Sequence, residues 1–162
     1  MHPNDISTQP EAIRGLLQQA RTIAVVGISA KPDRPSHEVA HYLQRAGYTI
    51  VPVNPAYGEV LGQKCYPSLH EVPGKIDIVD VFRKPADVMA VVDEAIAVGA
   101  SCLWLQLGVF NEEAGLRAEA AGLSVIQNRC VKIEHARLFG GLGWMGVNTK
   151  VISAKRPQQL PY

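Results

Sequence analysis

The sequence lacks several features that would each indicate a class of protein. No run approaches the roughly 20 consecutive apolar residues of a membrane-spanning helix, and the amino terminus lacks the basic and then apolar order of a secretory signal. The 16 basic and 15 acidic residues leave a formal charge of +1. No cluster of Lys and Arg is long enough to form a nucleic-acid or membrane footprint. These absences predict a cytoplasmic protein whose partner is a small molecule, not a nucleic acid or a membrane; they do not identify a protein partner.

Recognisable catalytic and metal-binding patterns are also scarce. The three cysteines, Cys65, Cys102 and Cys130, are widely spaced and none belongs to a C-x-x-C pair. This spacing fits reduced thiols better than a disulfide framework or a zinc knuckle. No paired carboxylates and no Ser-His-Asp arrangement are placed for acid–base or nucleophilic chemistry, so the sequence predicts no catalytic residue.

Three residue pairs, at two kinds of spacing, resemble metal sites. His37 and His41 form an H-E-x-x-H pattern, and Cys65 with His70 and Cys130 with His135 each leave four residues between thiol and imidazole. The first pattern falls behind a predicted anion-binding loop, where a cation would face the positive end of a helix, and each Cys–His pair lacks a second nearby cysteine. We interpret all three as coincidences and predict no metal site.

What the sequence does contain is an alternation of short apolar runs with helical patterns. Five runs are too short and too β-branched for helices, and they are separated by segments with apolar residues at helical spacing. The five runs are Ile23–Val26, Tyr48–Val53, Ile76–Val81, Cys102–Leu107 and Ser124–Gln127. They predict an α/β fold, a Rossmann-like, open, mostly parallel five-stranded sheet with helices on both faces. We divide the chain into an N-terminal segment with a helix (1–20), this domain (21–139), and a glycine-rich loop with a C-terminal tail (140–162).

The stretch Thr22–Ser36 has the pattern of a nucleotide-binding loop. Gly27 ends the first apolar run, and Ser36 is placed to cap the helix that follows. Such a strand–loop–helix unit offers free backbone N–H groups and the positive end of a helix dipole to a phosphate. Lys31 and Arg34 add positive charge, so the stretch predicts an anion site.

Two missing motifs restrict which nucleotide this loop could bind. An NAD site would have G-x-G-x-x-G in this loop and an acid after the second strand, whereas the chain has the single Gly27 and then Asn54-Pro55. No G-x-x-x-x-G-K-[ST] phosphate loop occurs. A phosphate-rich ligand reached by Ser29, Arg34 and neighbouring residues stays open, and an NAD(P)-binding redox protein is a distant alternative.

Five motifs in order complete the pattern. They are Gly27–Ser36, Val51–Pro55, Asp80–Arg83, Leu103–Val109 and Asn128–Cys130. Together they resemble the small stand-alone CoA-binding proteins of the YccU type, which are similar to the N-terminal CoA-binding domain of the succinyl-CoA synthetase α subunit. The resemblance covers residues 21–133 and implies coenzyme A as the cofactor.

The resemblance also implies roles for individual residues. Gly27–Ser29, Arg34 and Ser36 would hold the phosphates, Asn54 and Pro55 the adenosine, and Phe82 and Arg83 the pantetheine. In a parallel sheet the loops after the strands meet at one crevice, so the strand ends supply the remaining candidates. The full predicted set is Gly27, Ile28, Ser29, Lys31, Arg34, Ser36, Val53, Asn54, Pro55, Phe82, Arg83, Gln106, Gly108, Asn128, Arg129 and Cys130.

The function predicted from these residues is binding of CoA or an acyl-CoA, without ligase activity. Nothing in the chain corresponds to the synthetase's second domain with its phosphorylated histidine, or to an ATP-grasp subunit. One alternative is an enzyme that processes acyl-CoA or CoA disulfide with Cys130, whose pKa Arg129 would lower. Another is a non-catalytic regulator that senses CoA and signals to a partner.

Overall fold

The computed structural model describes residues 4–140. Its elements in chain order are α1 (Pro10–Gln19), β1 (Thr22–Val26), α2 (Pro35–Arg45), β2 (Thr49–Val53), β3 (Glu59–Val60), β4 (Gln63–Lys64), β5 (Ile78–Val81), α3 (Val88–Ala97), β6 (Cys102–Leu105), α4 (Glu112–Ala120), β7 (Ser124–Ile126) and α5 (Val131–His135). Short 3-10 turns cover Leu69–Glu71 and Pro85–Asp87, and a π-helical turn, Ala136–Gly140, follows α5. The predicted glycine-rich loop beyond Gly140 and the C-terminal tail lie outside the described residues.

Five strands form one parallel sheet in the order β2-β1-β5-β6-β7. Val26 at the end of β1 pairs with Val53 on one side and Val81 on the other, so the carboxyl ends of the central strands are level. The chain leaves β1 toward β2 and later returns to β5 on the other side of β1. A crevice opens between loops that diverge in this way. The predicted five-stranded parallel sheet is confirmed.

Both faces of the sheet are buried, as continuous apolar strands require. Along β5, Ile78 lies in the cluster covered by α1, α2 and α5, whereas Val79 and Val81 lie in the cluster covered by α3 and α4. Trp104 of β6 is fully buried on the first of these faces. The prediction of helices on both faces is therefore confirmed.

The segment between β2 and β5 contains an element that the sequence pattern did not reveal. Strands β3 and β4 pair as a two-residue hairpin through Leu61 and Gly62, which both have positive φ angles of 55° and 75°. Two positive φ angles suit the tight turns that join such strands. Two-residue strands are too short to produce a recognisable alternation.

Residues 4–9, which precede α1, are held by hydrogen bonds to the edge of the sheet. The Ile6 N–H donates to the Val125 carbonyl, and the Val125 N–H donates to the Asn4 carbonyl, at 2.9 and 3.0 Å. The Gln127 N–H donates to Ser7 Oγ at 2.9 Å. At the opposite edge of the sheet, Tyr66 exchanges backbone hydrogen bonds with the end of β2. Irregular segments therefore accompany both outer strands. No helix within residues 4–140 is long and apolar enough to cross a membrane.

Candidate functional site

A cleft of about 910 Å³ lies at the carboxyl ends of the strands. The loop after every strand of the main sheet contributes to it. Its lining residues are Gly27, Ser29, Lys31, Arg34, Ser36, Tyr57, Phe82, Arg83, Lys84, Pro85, Asp87, Leu107, Gly108, Val109 and Asn128. The five loops that we predicted to meet at one crevice therefore do line a common cleft.

The middle of the cleft is formed by the loops after β1 and β5, which touch at Gly27. This residue has a φ of +88°, and a Cβ atom there would overlap the carbonyl oxygen of Phe82. Only glycine permits both the backbone angle and the close approach. Because of this contact, Lys31 and Arg34 of the first loop share one cleft with Arg83 and Lys84 of the second. Asp87 is the single acid in the lining, so the centre of the cleft favours an anion.

Two serines order the first loop from within. Ser36 Oγ accepts a hydrogen bond from the Ser29 N–H at 2.9 Å, and Ser29 Oγ accepts one from the Lys31 N–H at 3.1 Å. The prediction that Ser36 caps α2 is wrong, because Arg34 occupies the N-cap position and Ser36 lies in the first turn, 3% exposed. The loop N–H groups of Ser29 and Lys31 are thus used internally. Each hydroxyl oxygen that accepts an N–H keeps its own proton to donate to a ligand.

The side-chain amide of Asn54 forms hydrogen bonds with backbone groups. Its Nδ2 donates to the Ile28 carbonyl at 2.9 Å, and its Oδ1 accepts the Ala56 N–H at 2.9 Å. Both ends of the amide are therefore engaged with backbone, and Asn54 joins the loops after β1 and β2. Neither Asn54 nor Pro55 lines the cleft; the half-buried Tyr57 does.

The far end of the cleft is set by the loops after β6 and β7. Asn128 has a φ of 57°, and its Oδ1 accepts the Gly108 N–H at 2.7 Å. This bond joins the two loops and fixes the orientation of the amide group. The neighbouring Arg129 does not line the cleft, and its guanidinium donates to the Asn128 carbonyl at 2.9 Å. Leu107 and Val109 form the apolar wall at this end.

Three polar side chains near the carboxyl ends of the strands are buried. Gln106 is fully buried and its Oε1 accepts the Val131 N–H at 3.1 Å. Cys130 is 5% exposed, and burial raises the pKa of its thiol. The expected lowering of this pKa by Arg129 is therefore wrong. Asp80 is also fully buried, and burial raises its pKa well above the ordinary value. None of the three lines the cleft, nor do the predicted Ile28 and Val53.

The histidine patterns do not assemble ligands within residues 4–140. The His37 and His41 rings have centroids 6.4 Å apart, and this part of the chain contains no group of three or more His, Cys, Asp or Glu side chains able to hold a metal ion. His135 instead places Nδ1 2.9 Å from the Tyr42 hydroxyl oxygen.

Some lining residues were not singled out from the sequence. They are Tyr57, Lys84, Pro85, Asp87, Leu107 and Val109. The loops that the sequence predicts after β2, β5 and β6 are Asn54–Tyr57, Phe82–Pro85 and Gln106–Val109, so every one of these residues except Asp87 falls inside a predicted loop. The signal that could have identified them was position, because every one follows a strand end by a few residues.

Comparison with known proteins gives relatives of two kinds. The chain is 45% identical over 124 residues to the uncharacterized protein YneT of Bacillus subtilis, an alignment that covers 76% of this chain and 92% of that one. A solved structure of a hypothetical protein from Pyrococcus horikoshii superposes with a TM-score of 0.81 at 46% identity, over 84% of this chain and 96% of that one.

Relatives of the second kind are longer proteins, of which this chain matches only a part. The chain is 31% identical over 131 residues to the α subunit of an ADP-forming acetate–CoA ligase of Pyrococcus furiosus. This alignment covers 73% of the chain but only 29% of the ligase subunit. The family described as a CoA binding domain matches residues 21–136, the part that carries the sheet and the cleft. The chain therefore belongs to the CoA-binding domain family.

Proposed function

We propose that this chain binds coenzyme A in the cleft at the carboxyl ends of the strands. The observation that carries the proposal is the order of chemical types along the sheet edge. Tyr57 lies at the β2 end, four cationic side chains lie over β1 and β5, and Leu107 and Val109 lie at the β6 end. Coenzyme A has the same order of parts, because an aromatic base is followed by phosphates and then by the uncharged pantetheine arm.

The phosphates would lie over Gly27, where the two cationic loops meet. The hydroxyl groups of Ser29 and Ser36 would donate to phosphate oxygens, since their own oxygens already accept backbone N–H groups. Arg34 and Arg83 would add charge-assisted hydrogen bonds from opposite sides. Tyr57 replaces Asn54 and Pro55 as the residue beside the base, where its ring offers a stacking surface.

We propose binding without ligase activity. The chain matches only part of the ligase relative, and catalysis is a property of that whole protein. The alternative of an enzyme that uses Cys130 receives no support, because the thiol is buried, does not line the cleft and has its pKa raised by burial.

Calorimetric titration with CoA, pantetheine and NAD tests the proposal. We expect CoA to bind and NAD to bind at least ten times more weakly. Arg34→Ala should weaken CoA about ten-fold or more, in line with the ~1.5–3 kcal/mol of a hydrogen bond to a charged group. The same substitution should leave pantetheine, which carries no phosphate, unchanged.

The matched control is Arg45→Ala, because Arg45 is exposed at the other end of α2 and does not line the cleft. It should bind CoA as the native chain does. Tight NAD binding without CoA binding would refute the proposal. An equal loss of CoA affinity in both arginine variants would remove Arg34 from the site.

A further inference from the structure

The loop after β5 is attached to its surroundings on both sides of the two cations that it contributes to the cleft. Before the cations, the carbonyl group of Phe82 lies against Gly27. Beyond them, the Pro85 carbonyl accepts a hydrogen bond from Asn111 Nδ2 at 3.0 Å. Asn111 directly precedes α4 and does not line the cleft, so a residue outside the cleft holds a loop that lines it. The cations between the two attachments are Arg83 and Lys84.

The attachment at Pro85 constrains the cations because the backbone between them is stiff. Lys84 precedes a proline and has an extended backbone, with a φ of −65° and a ψ of 148°. The ring of Pro85 fixes its own φ, and the Asp87 N–H donates to the Lys84 carbonyl at 2.8 Å across the turn. A shift of the Pro85 carbonyl would therefore move the backbone of Lys84 and, through it, that of Arg83.

The side chain of Asn111 is oriented by its position at the start of α4. Its Oδ1 accepts the Ala114 N–H at 3.0 Å, and its carbonyl accepts the Gly115 N–H at 3.0 Å. Its backbone N–H donates to Gln127 Oε1 at 2.9 Å. With these three groups engaged, Nδ2 is the group that reaches the loop after β5. A donor that is oriented in advance holds the loop without a further loss of side-chain freedom.

Gln127, which follows β7, supports Asn111 from a buried position. It is 7% exposed, and its backbone N–H donates to Ser7 Oγ at 2.9 Å. A Cβ atom added to Gly115 of α4 would overlap Gln127 Nε2. The missing side chain at Gly115 therefore leaves the room that the Gln127 amide needs to reach Asn111.

From these contacts we infer that Asn111 is a positioning residue for the ligand anion. Through the Pro85 carbonyl it fixes the backbone that carries Arg83 and Lys84, so both cations are in place before a ligand binds. The inference rests on the proposed function, because it assumes that the anion in the cleft is a phosphate of CoA. Fixing the backbone of one flexible residue opposes binding by about five- to thirty-fold, and a loop that is already ordered avoids this loss.

Two substitutions separate this role from helix capping. Asn111→Ser keeps an oxygen for the Ala114 N–H and is a favoured N-cap, but it has no amide to donate to the Pro85 carbonyl; Asn111→Ala lacks both groups. Both variants should bind CoA about five-fold or more weakly and should leave pantetheine, which has no phosphate, unchanged. The melting temperature should fall about 2–4 °C further in Asn111→Ala than in Asn111→Ser.

A double-mutant cycle identifies the cation through which Asn111 acts. Arg83→Ala should weaken CoA binding about ten-fold in the native chain, but only about three-fold or less in the Asn111→Ser background. Arg34→Ala should cost the same in both backgrounds, within about two-fold. Arg34 belongs to the loop after β1, and none of the hydrogen-bond partners of Asn111 within residues 4–140 lies in that loop.

The matched control is Gln44→Ala. Gln44 Nε2 donates to the Leu61 carbonyl at 3.2 Å, which is also a contact between a side-chain amide and a loop carbonyl, and neither residue lines the cleft. This variant should bind CoA within about two-fold of the native chain.

The outcomes separate the two proposals. The inference fails and CoA binding stands if Asn111→Ser binds CoA as the native chain does, if Arg83→Ala costs the same in both backgrounds, or if Gln44→Ala is weakened to the same extent. If the native chain binds no CoA, both proposals fail.

Discussion

Asp80 is the residue whose environment departs furthest from that of an ordinary surface carboxylate. It is fully buried in β5 on the face that holds Trp104, and neither carboxyl oxygen has a hydrogen-bond partner among the described residues. The thiols of Cys102 and Cys130 have pKa values raised first by burial and further by the neighbouring Asp80. Burial disfavours the charged carboxylate in such a site, and this raises the pKa of Asp80.

We expect Asp80→Asn to reduce the pH dependence of stability. The folded pKa of Asp80 is raised above the ordinary 3.8, so the folded chain keeps a proton that the unfolded chain releases. Stability contributed by this group is present below about pH 4 and is lost as pH rises toward the raised pKa. The variant should therefore gain stability relative to the native chain as pH rises above about 4, because one proton of difference corresponds to ~1.4 kcal/mol per pH unit until the raised pKa is passed.

Urea unfolding at several pH values measures this gain. Asp33→Asn serves as the control, because Asp33 is exposed and its charge is solvated in both states. Parallel stability curves for native protein and Asp80→Asn above about pH 4 would contradict a raised pKa of Asp80.

At the scale of elements, the contact between the loops after β1 and β5 decides the shape of the cleft. Gly27 brings the backbone of the first loop against the Phe82 carbonyl, and Asn54 joins the first loop to the loop after β2. Asn128 joins the loops after β6 and β7 in the same manner. The strand ends are therefore held together by backbone-directed contacts that need no ligand.

Gly27→Ala should be destabilising and should abolish CoA binding. The alanine would require a positive φ, which costs about 1–3 kcal/mol, and its Cβ would push the Phe82 carbonyl away. Gly15→Ala is the matched control with the opposite sign, because Gly15 lies in α1 with no atom within 4 Å of an added Cβ. Helix propensity should then stabilise the chain by about 0.5–1 kcal/mol. Unfolding midpoints and CoA titrations measure both effects, and native-like binding by Gly27→Ala would contradict the role of the close approach.

Local patterns predicted the elements well and the site side chains less well. Apolar runs, helical spacing and residues such as Asn111, whose Oδ1 caps α4 through the Ala114 N–H at 3.0 Å, depend on neighbours in sequence. The direction of a loop side chain depends on partners far along the chain. Asn54 turns toward Ile28, and Cys130 is covered when α5 packs on the sheet, so neither lines the cleft that its position indicated. Tyr57 reaches the cleft because Asn54 forms the turn before it.

At the scale of the whole molecule, the N-terminal segment and the matched domain share one core. Ile13 and Leu17 of α1 are 2% and 1% exposed, and both belong to the cluster that also contains Trp104 and Val131. The Tyr48 hydroxyl donates to the Leu17 carbonyl at 2.6 Å. Helix α1 lies before the residues that match the family, yet it covers part of the sheet that carries the cleft.

Leu17→Ala should therefore destabilise the entire fold by about 2–5 kcal/mol, the range for removal of a buried leucine side chain. Gln18→Ala, at the neighbouring exposed position of the same helix, should change the free energy of unfolding by less than about 0.5 kcal/mol. Chemical denaturation monitored by tryptophan fluorescence, to which Trp104 and Trp144 both contribute, and by circular dichroism should show one transition for both probes. A Leu17→Ala variant with native stability would mean that α1 is dispensable.

The segments that accompany the two outer strands also affect how molecules meet one another in solution. An uncovered strand is a template on which a second chain can add its own strand, and this addition is a common start of aggregation. Here the backbone around Asn4–Ile6 occupies positions along β7, and Tyr66 occupies positions along β2. Part of each outer edge of the sheet is therefore already hydrogen-bonded within the chain. We therefore expect residues 4–6 to hinder the addition of a second chain at β7.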